Sequence, residues 1–173
     1  LLAQGSDVAP IRIGRVPGGG AWGGVTINGG PGSPESVVSY AHIEGNNNTA
    51  FQVTDGTAIF DHVTFGTTTR EYISVDRSSF VISDCVFPRA TAGFELVHAN
   101  GGIKAGGRGV IARSFFGAPM GYNDTIDFTG GNRPGPILQV FNNVFMGSDD
   151  DLLDLDSTDA WVEGNIFLHT HRN

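Results

Sequence analysis

The chain is short of lysine, of cysteine and of long apolar runs, and each shortage excludes something. Lys104 is its only lysine, and ten basic residues stand against 18 acidic ones, for a net charge of −8. Phosphate binding needs clustered Lys and Arg, so nucleic acid is not an expected partner. Cys85 is the single cysteine, which rules out an intrachain disulfide. No apolar run approaches the roughly 20 residues of a membrane-spanning helix, so the chain is not expected to be membrane-embedded. No signal peptide is visible, and Leu1-Leu2-Ala3-Gln4 reads as a processed or trimmed start. Helical periodicity is also missing.

Glycine is plentiful instead, at 26 residues with no collagen period. The acid excess is local. From Gly121 onward nine Asp/Glu face two Arg, a net of −7, whereas the first 120 residues carry nine acidic and eight basic groups, a net of −1. Such a patch suits a cation, or an anionic ligand bridged by one.

Residues 1–34 read as short strands and an irregular first coil, ending in the Gly-Pro-rich turn at 29–34. From Glu35 a repeat sets in. Segments such as Ala58–Phe65, Phe80–Phe87, Gly109–Phe116 and Ala160–Phe167 end on Ile43, Phe65, Phe87, Phe116, Phe145 and Phe167, at spacings of 22, 22, 29, 29 and 22. Between them lie apolar–polar–apolar triplets: Phe51-Gln52-Val53, Ile73-Ser74-Val75, Ile103-Lys104-Ala105, Ile126-Asp127-Phe128 and Leu153-Asp154-Leu155. That alternation marks half-buried strands. A coil of about 22 residues with short strands and no helix predicts an all-β parallel β-helix, a solenoid of about six to seven coils stacked at the strand spacing. The repeats over 35–173 and the irregular first coil then form one domain. The terminal Phe residues become an internal column, and Asn143 and Asn165 a turn-to-turn ladder. The extra seven residues of the longer spacings become loops. An antiparallel sandwich shares the short strands, but the position-by-position similarity favours the coil. The chain stops at 169–173 directly after a strand, with no segment to cover the open edge. It therefore reads as a piece of a longer helix, or as one whose ends a second chain or another copy covers.

Stacking gives the acid patch a shape. The outward middle residues of the triplets form a column of Gln52, Ser74, Lys104, Asp127 and Asp154. Three residues earlier stand Glu71, Gly101, Asp124 and Asp151. Asp124, Asp127, Asp151 and Asp154 would thus form a block on adjacent turns, bordered by Asp149, Asp150 and Asp156. Carboxylates about 5 Å apart repel by several kcal/mol at an effective dielectric near 20. Bound Ca²⁺, hard and tolerant of many oxygen ligands, would relieve that; raised carboxyl pKa values are the alternative. A plain solvated acidic turn is the bland reading. An EF-hand is excluded, because no D-x-D-x-D-G loop is present. Lys104, placed one turn before Asp127, would neutralise one edge.

The repeat over roughly residues 22–173, with phrases such as Ala160-Trp161-Val162-Glu163-Gly164-Asn165-Ile166-Phe167, resembles the right-handed parallel β-helix superfamily of extracellular carbohydrate-active proteins. Asp150-Asp151-Leu152-Leu153-Asp154 is similar to the Asp-Asp-x-x-Asp calcium motif of pectate lyases of polysaccharide lyase family 9, with Asp127 or Asp124 placed to supply a ligand from the preceding turn. The resemblance implies a secreted or cell-surface protein that binds an acidic polysaccharide through Ca²⁺ held by Asp124, Asp127, Asp150, Asp151 and Asp154. It also implies cleavage by β-elimination with a lysine base. That family's base lies on a later turn; here the only lysine is Lys104, which becomes the candidate, with Arg133, His169 and His171 behind it. His42, His62 and His98 read as coil-surface residues; Trp22 and Trp161 are candidates to stack on sugar rings, with Trp161, in a repeat strand, read rather as packing. A weaker resemblance, of Asn123-Asp124 and Asp150-Asp151 to the acidic pairs of polygalacturonase-type glycoside hydrolases, lacks their Gly-His-Gly segment. A different class stays open: a non-catalytic structural or adhesive β-helix that assembles with itself or a partner.

Overall fold

The computed structural model describes residues 1–169. Its strands are β1 (Leu2–Gln4), β2 (Ile11–Ile13), β3 (Val25–Asn28), β4 (Ser36–Ile43), β5 (Phe51–Thr54), β6 (Thr57–Phe65), β7 (Ile73–Ser83) and β8 (Val86–Phe87). They continue as β9 (Val97–Ile103), β10 (Gly109–Ala112), β11 (Phe115–Phe116), β12 (Ile126–Phe128), β13 (Leu138–Phe141), β14 (Val144–Phe145), β15 (Ala160–Glu163) and β16 (Ile166–Phe167). Every pairing between these strands is parallel, between residues one coil apart, as in Ala58↔Phe80, Gly109↔Phe80 and Gly109↔Leu138. The chain is therefore a parallel β-helix. One long wall climbs from β1 and β2 through β4, β6, β7 with β8, β10 with β11, and β13 with β14 to β15 with β16, which is seven levels. A second wall climbs through β3, β5, β7, β9 and β12, and the bridge Asp127↔Asp154 adds a sixth level. Among the described residues no helix is long and apolar enough to cross a membrane.

The inward residues of both walls fill the core. Phe65, Phe87, Phe116, Phe145 and Phe167 stack along the axis, with centroids 4.8, 4.7, 5.0 and 4.8 Å apart. This is the strand spacing itself, so the register of the sheet sets the register of the rings. The first four rings are buried, and Phe167 on the last level is 43% exposed.

A sharp corner divides the long wall at each level above the first. Tyr40, His62, Asp84, Arg113, Asn142 and Gly164 all turn it with positive φ. The next residue points inward, giving the column Ala41, Val63, Cys85, Ser114, Asn143, Asn165. From Cys85 on, this column is a hydrogen-bonded ladder. The N–H of Cys85 donates to Ser114 Oγ at 3.1 Å, that of Ser114 to Asn143 Oδ1 at 2.9 Å, and that of Asn143 to Asn165 Oδ1 at 2.9 Å. Each side chain thereby satisfies a backbone donor that the corner leaves out of the sheet. The asparagine ladder is thus present, and it extends two turns further through Ser114 and Cys85.

The second wall corrects the register expected for one triplet. Val97-His98-Ala99, not Ile103-Lys104-Ala105, pairs with Ile73-Ser74-Val75 and with Ile126-Asp127-Phe128. Both triplets alternate, so periodicity cannot choose between them. Turn length decides: the residues added to this coil fall mostly after the strand. Gly101 and Gly102, both at φ 71°, carry an irregularity that leaves Ile103 opposite Ser78. A Cβ on Gly102 would clash with Gly130 O, so the close approach requires glycine there.

Candidate functional site

The corrected register builds a four-residue pattern on four successive turns: Glu71-Tyr72-Ile73-Ser74, Glu95-Leu96-Val97-His98, Asp124-Thr125-Ile126-Asp127 and Asp151-Leu152-Leu153-Asp154. The second residue is buried each time, as Tyr72, Leu96, Thr125 and Leu152. Backbone bonds from Tyr72 N–H to Leu96 O, Leu96 N–H to Thr125 O and Thr125 N–H to Asp151 O hold the copies level. The third residue also faces the core, as Ile73, Val97, Ile126 and Leu153, so the first and fourth side chains point out on one face, where two polar columns run side by side.

At its C-terminal end this face carries Asp124, Asp151 and Asp154, which bring one carboxylate oxygen each within 4.8 Å of one another. Asp151 N–H donates to Asp124 Oδ1 at 3.0 Å, and Ser148 Oγ donates to Asn123 O at 2.8 Å, fixing the approach of the two turns. Burial raises the Asp124 pKa to about 6, and the charges of Asp150, Asp154 and Glu95 add to the shift. Burial likewise raises Asp154, helped by Asp156, Asp127 and Asp151. Lysine does not relieve this repulsion. Lys104 Nζ donates to Gly30 O at 3.3 Å and Asp55 O at 3.2 Å, at the far side of the second wall.

Asp127 belongs to the neighbouring group. Its Oδ2 lies 3.4 Å from His98 Nδ1, which is 2.6 Å from Glu95 Oε2. Burial raises the Asp127 pKa, with Glu95 adding and His98 opposing. The hydrogen bond to Glu95 raises that of His98 against the opposing effect of burial. The expected block of four is therefore two groups side by side: Asp124, Asp151 and Asp154, then Asp127, His98 and Glu95.

The oxygens of the first group lie close enough to share one metal ion. Two ligands held at about 2.3–2.6 Å from one ion can stand no more than about 5 Å apart, and these three oxygens meet that limit. Asp150 stands beside the trio through its effect on Asp124, and its backbone N–H is spent on Ser148 Oγ. Arg133 is paired with Asp159 at 3.2 Å. His169 lines a shallow pocket with Asp149, and His171 lies outside the described residues. Trp161 packs edge-on against Phe141 at 5.3 Å.

Glu95 and His98 were missed in the sequence because the triplet chosen for that turn lay six residues too late. Their spacing of three, equal to that of Asp124 with Asp127 and Asp151 with Asp154, is the signal that finds them. A third cluster, Asp61, His62 and Asp84, sits on the long wall, where Asp84 is held by Arg113 at 2.6 Å. Set against known proteins, the chain matches no family model, no curated protein and no solved structure.

Proposed function

We propose that this is a secreted β-helix protein that binds an acidic polysaccharide through Ca²⁺ at Asp124, Asp151 and Asp154, and cleaves it by β-elimination in the manner of a pectate lyase. The observation that carries the reading is the convergence of three carboxylates from adjacent turns beside a histidine–glutamate pair. An ion held by Asp124, Asp151 and Asp154 would supply a positive charge that attracts the uronate carboxylate of the glycan and acidifies the carbon next to it.

The chain's own residues would do the rest. With Nδ1 engaged by Glu95, Nε2 is the ring atom of His98 left to act as the base. Glu95 and Asp127, both at Nδ1, orient the ring and stabilise the imidazolium that forms. In the elimination, the proton on the uronate carbon next to the carboxylate passes to Nε2. A double bond forms to the neighbouring carbon, the glycosidic C–O bond breaks, and the leaving oxygen takes a proton from water. His98 thus takes the role that the sequence assigned to Lys104, because Lys104 stands on carbonyl groups away from this face.

The test is incubation with polygalacturonate, with calcium or with EDTA, followed by the ultraviolet absorbance of the unsaturated product. Calcium-dependent product supports lyase action. Binding without product leaves a calcium-dependent lectin-like helix. Neither binding nor product leaves the non-catalytic structural β-helix.

A further inference from the structure

We infer a second ligand site on a different face, at the corner of the long wall, for one ring of a neutral sugar chain. At later levels of this corner a single residue makes the turn, and these residues stack as Tyr40, His62, Asp84 and Arg113. At the first level the register breaks. Gln4 lies opposite Ser39 and Ile11 opposite Ala41, so residues 5–10 stand where one residue is needed. They loop outward and leave a groove of about 500 Å³ over Tyr40 and His62.

The groove is preformed. Gly5 N–H donates to Ser39 O at 2.9 Å, and Ser6 and Ala9 exchange two backbone bonds at 3.1 Å. A Cβ on Gly5 would lie 2.5 Å from Tyr40 O, so only glycine lets the loop leave the wall this tightly. Tyr40 and His62 stack at 4.5 Å and 14°. Both rings sit on left-handed backbone, which Asn142 and Gly164 adopt at lower cost at the same corner further along. His62 covers one face of the Tyr40 ring, and on the other side the column ends at the loop carrying Ser6, Asp7 and Pro10.

The chemistry of the rim selects the occupant. A flat apolar face of a sugar ring can continue the stack on Tyr40, and Ser6, Asp7 and Thr64 offer hydroxyl and carboxylate partners to its hydroxyl groups. Among the described residues the groups nearby that can carry positive charge are already paired: Arg12 and His42 with Glu44 at 2.6 and 3.4 Å, His62 with Asp61 at 3.1 Å, and Arg113 with Asp84 at 2.6 Å. A uronate would meet Asp7 and Asp84 with no free positive charge, so a neutral hexose or pentose is favoured over an acidic one. The site is independent of the calcium reading and lies outside its residues.

The experiment is saturation-transfer NMR and calorimetry of the whole chain with cellotetraose, mannotetraose and xylotetraose, and with tetragalacturonate as the anionic counterpart, all in EDTA. The expected result is saturable binding of at least one neutral tetrasaccharide and no binding of tetragalacturonate. Tyr40→Asn should weaken it by about fivefold, the worth of one ring-stacking contact. Asn keeps the left-handed corner, and an unchanged melting temperature confirms the fold. Asp7→Asn, on the exposed loop, is the second variant and should weaken binding without touching the wall. Failure of all three neutral sugars to bind, or equal binding by wild type and both variants, would overturn the site. Because EDTA is present throughout, neither result bears on the carboxylate face.

Discussion

The backbone N–H of Asp151 donates to Oδ1 of Asp124, one turn below, at 3.0 Å. That bond draws the Asp124 carboxyl in among Asp150, Asp151 and Asp154, and burial there lifts its pKa to about 6. The native state therefore holds this proton more tightly than the unfolded chain, whose carboxyl titrates near 3.8. Stability from this group is full at acid pH and is lost as the pH rises from about 4 through about 6. Melting curves in EDTA should show Asp124→Asn gaining on the wild type across that interval, since Asn keeps the acceptor for Asp151 without the charge. A gap that does not change with pH would mean that the carboxyl is not raised.

Calcium should reverse that trend. Its affinity should rise with pH through the same interval, because the ligands must be ionised. Asp154→Asn removes one ligand charge and should cost at least about tenfold in affinity by calorimetry. Lys104→Met should leave calcium binding as it is, because the ammonium group sits on the carbonyls of Gly30 and Asp55. A tenfold change in that variant would put the lysine back on the face.

His98→Gln should separate binding from cleavage. Glutamine can still bond to Glu95 but cannot take up a proton at neutral pH. Product formation on polygalacturonate should fall by at least about 100-fold, the usual worth of a general base, with the calcium-induced rise in melting temperature kept. Since the bond to Glu95 raises the His98 pKa, wild-type activity should fall below a pKa that lies above 6.5. Undiminished cleavage by the variant would remove His98 from the reaction.

Asn143 is buried on all sides and serves two turns at once. It accepts from Ser114 N–H at 2.9 Å and donates from Nδ2 to Ile111 O and to Asn165 Oδ1, each at 2.9 Å. Asn143→Ala strands the buried Ser114 N–H, and should cost roughly 1–3 kcal/mol, the usual cost of one unsatisfied buried group. Asn165→Ala, in a half-buried position on the last level, should cost less. Equal losses in urea melts would deny the ladder its burial.

Much of this was legible because stacking turns one-dimensional spacing into columns. The Phe spacings of 22 and 29 located the long wall, and Asn143 and Asn165, each two residues before a Phe, located the ladder. Asp124 with Asp151 and Asp127 with Asp154 came out as paired positions, which the bridge Asp127↔Asp154 shows. The coil from Phe87 to Phe116 was not legible. Its added residues are divided unequally between two turns, and two alternating triplets compete for one strand. Placing the strand at 103–105 put Lys104 in the column and hid Glu95 and His98. The split of the acid block also escaped the sequence, because it depends on which oxygens face His98. The loop at residues 5–10 that opens the groove over Tyr40 lay in the stretch before the repeat, where no copy existed to align.

The most direct measurement is a calorimetric calcium titration of the wild type and of the Asp151→Asn/Asp154→Asn double variant, paired with melting curves in calcium and in EDTA. The expected result is saturable binding that raises the melting temperature of the wild type and is absent in the double variant. No binding at millimolar calcium, or binding unaltered by the double substitution, would contradict a metal centre at Asp124, Asp151 and Asp154, and the calcium-bridged polysaccharide reading would fall with it.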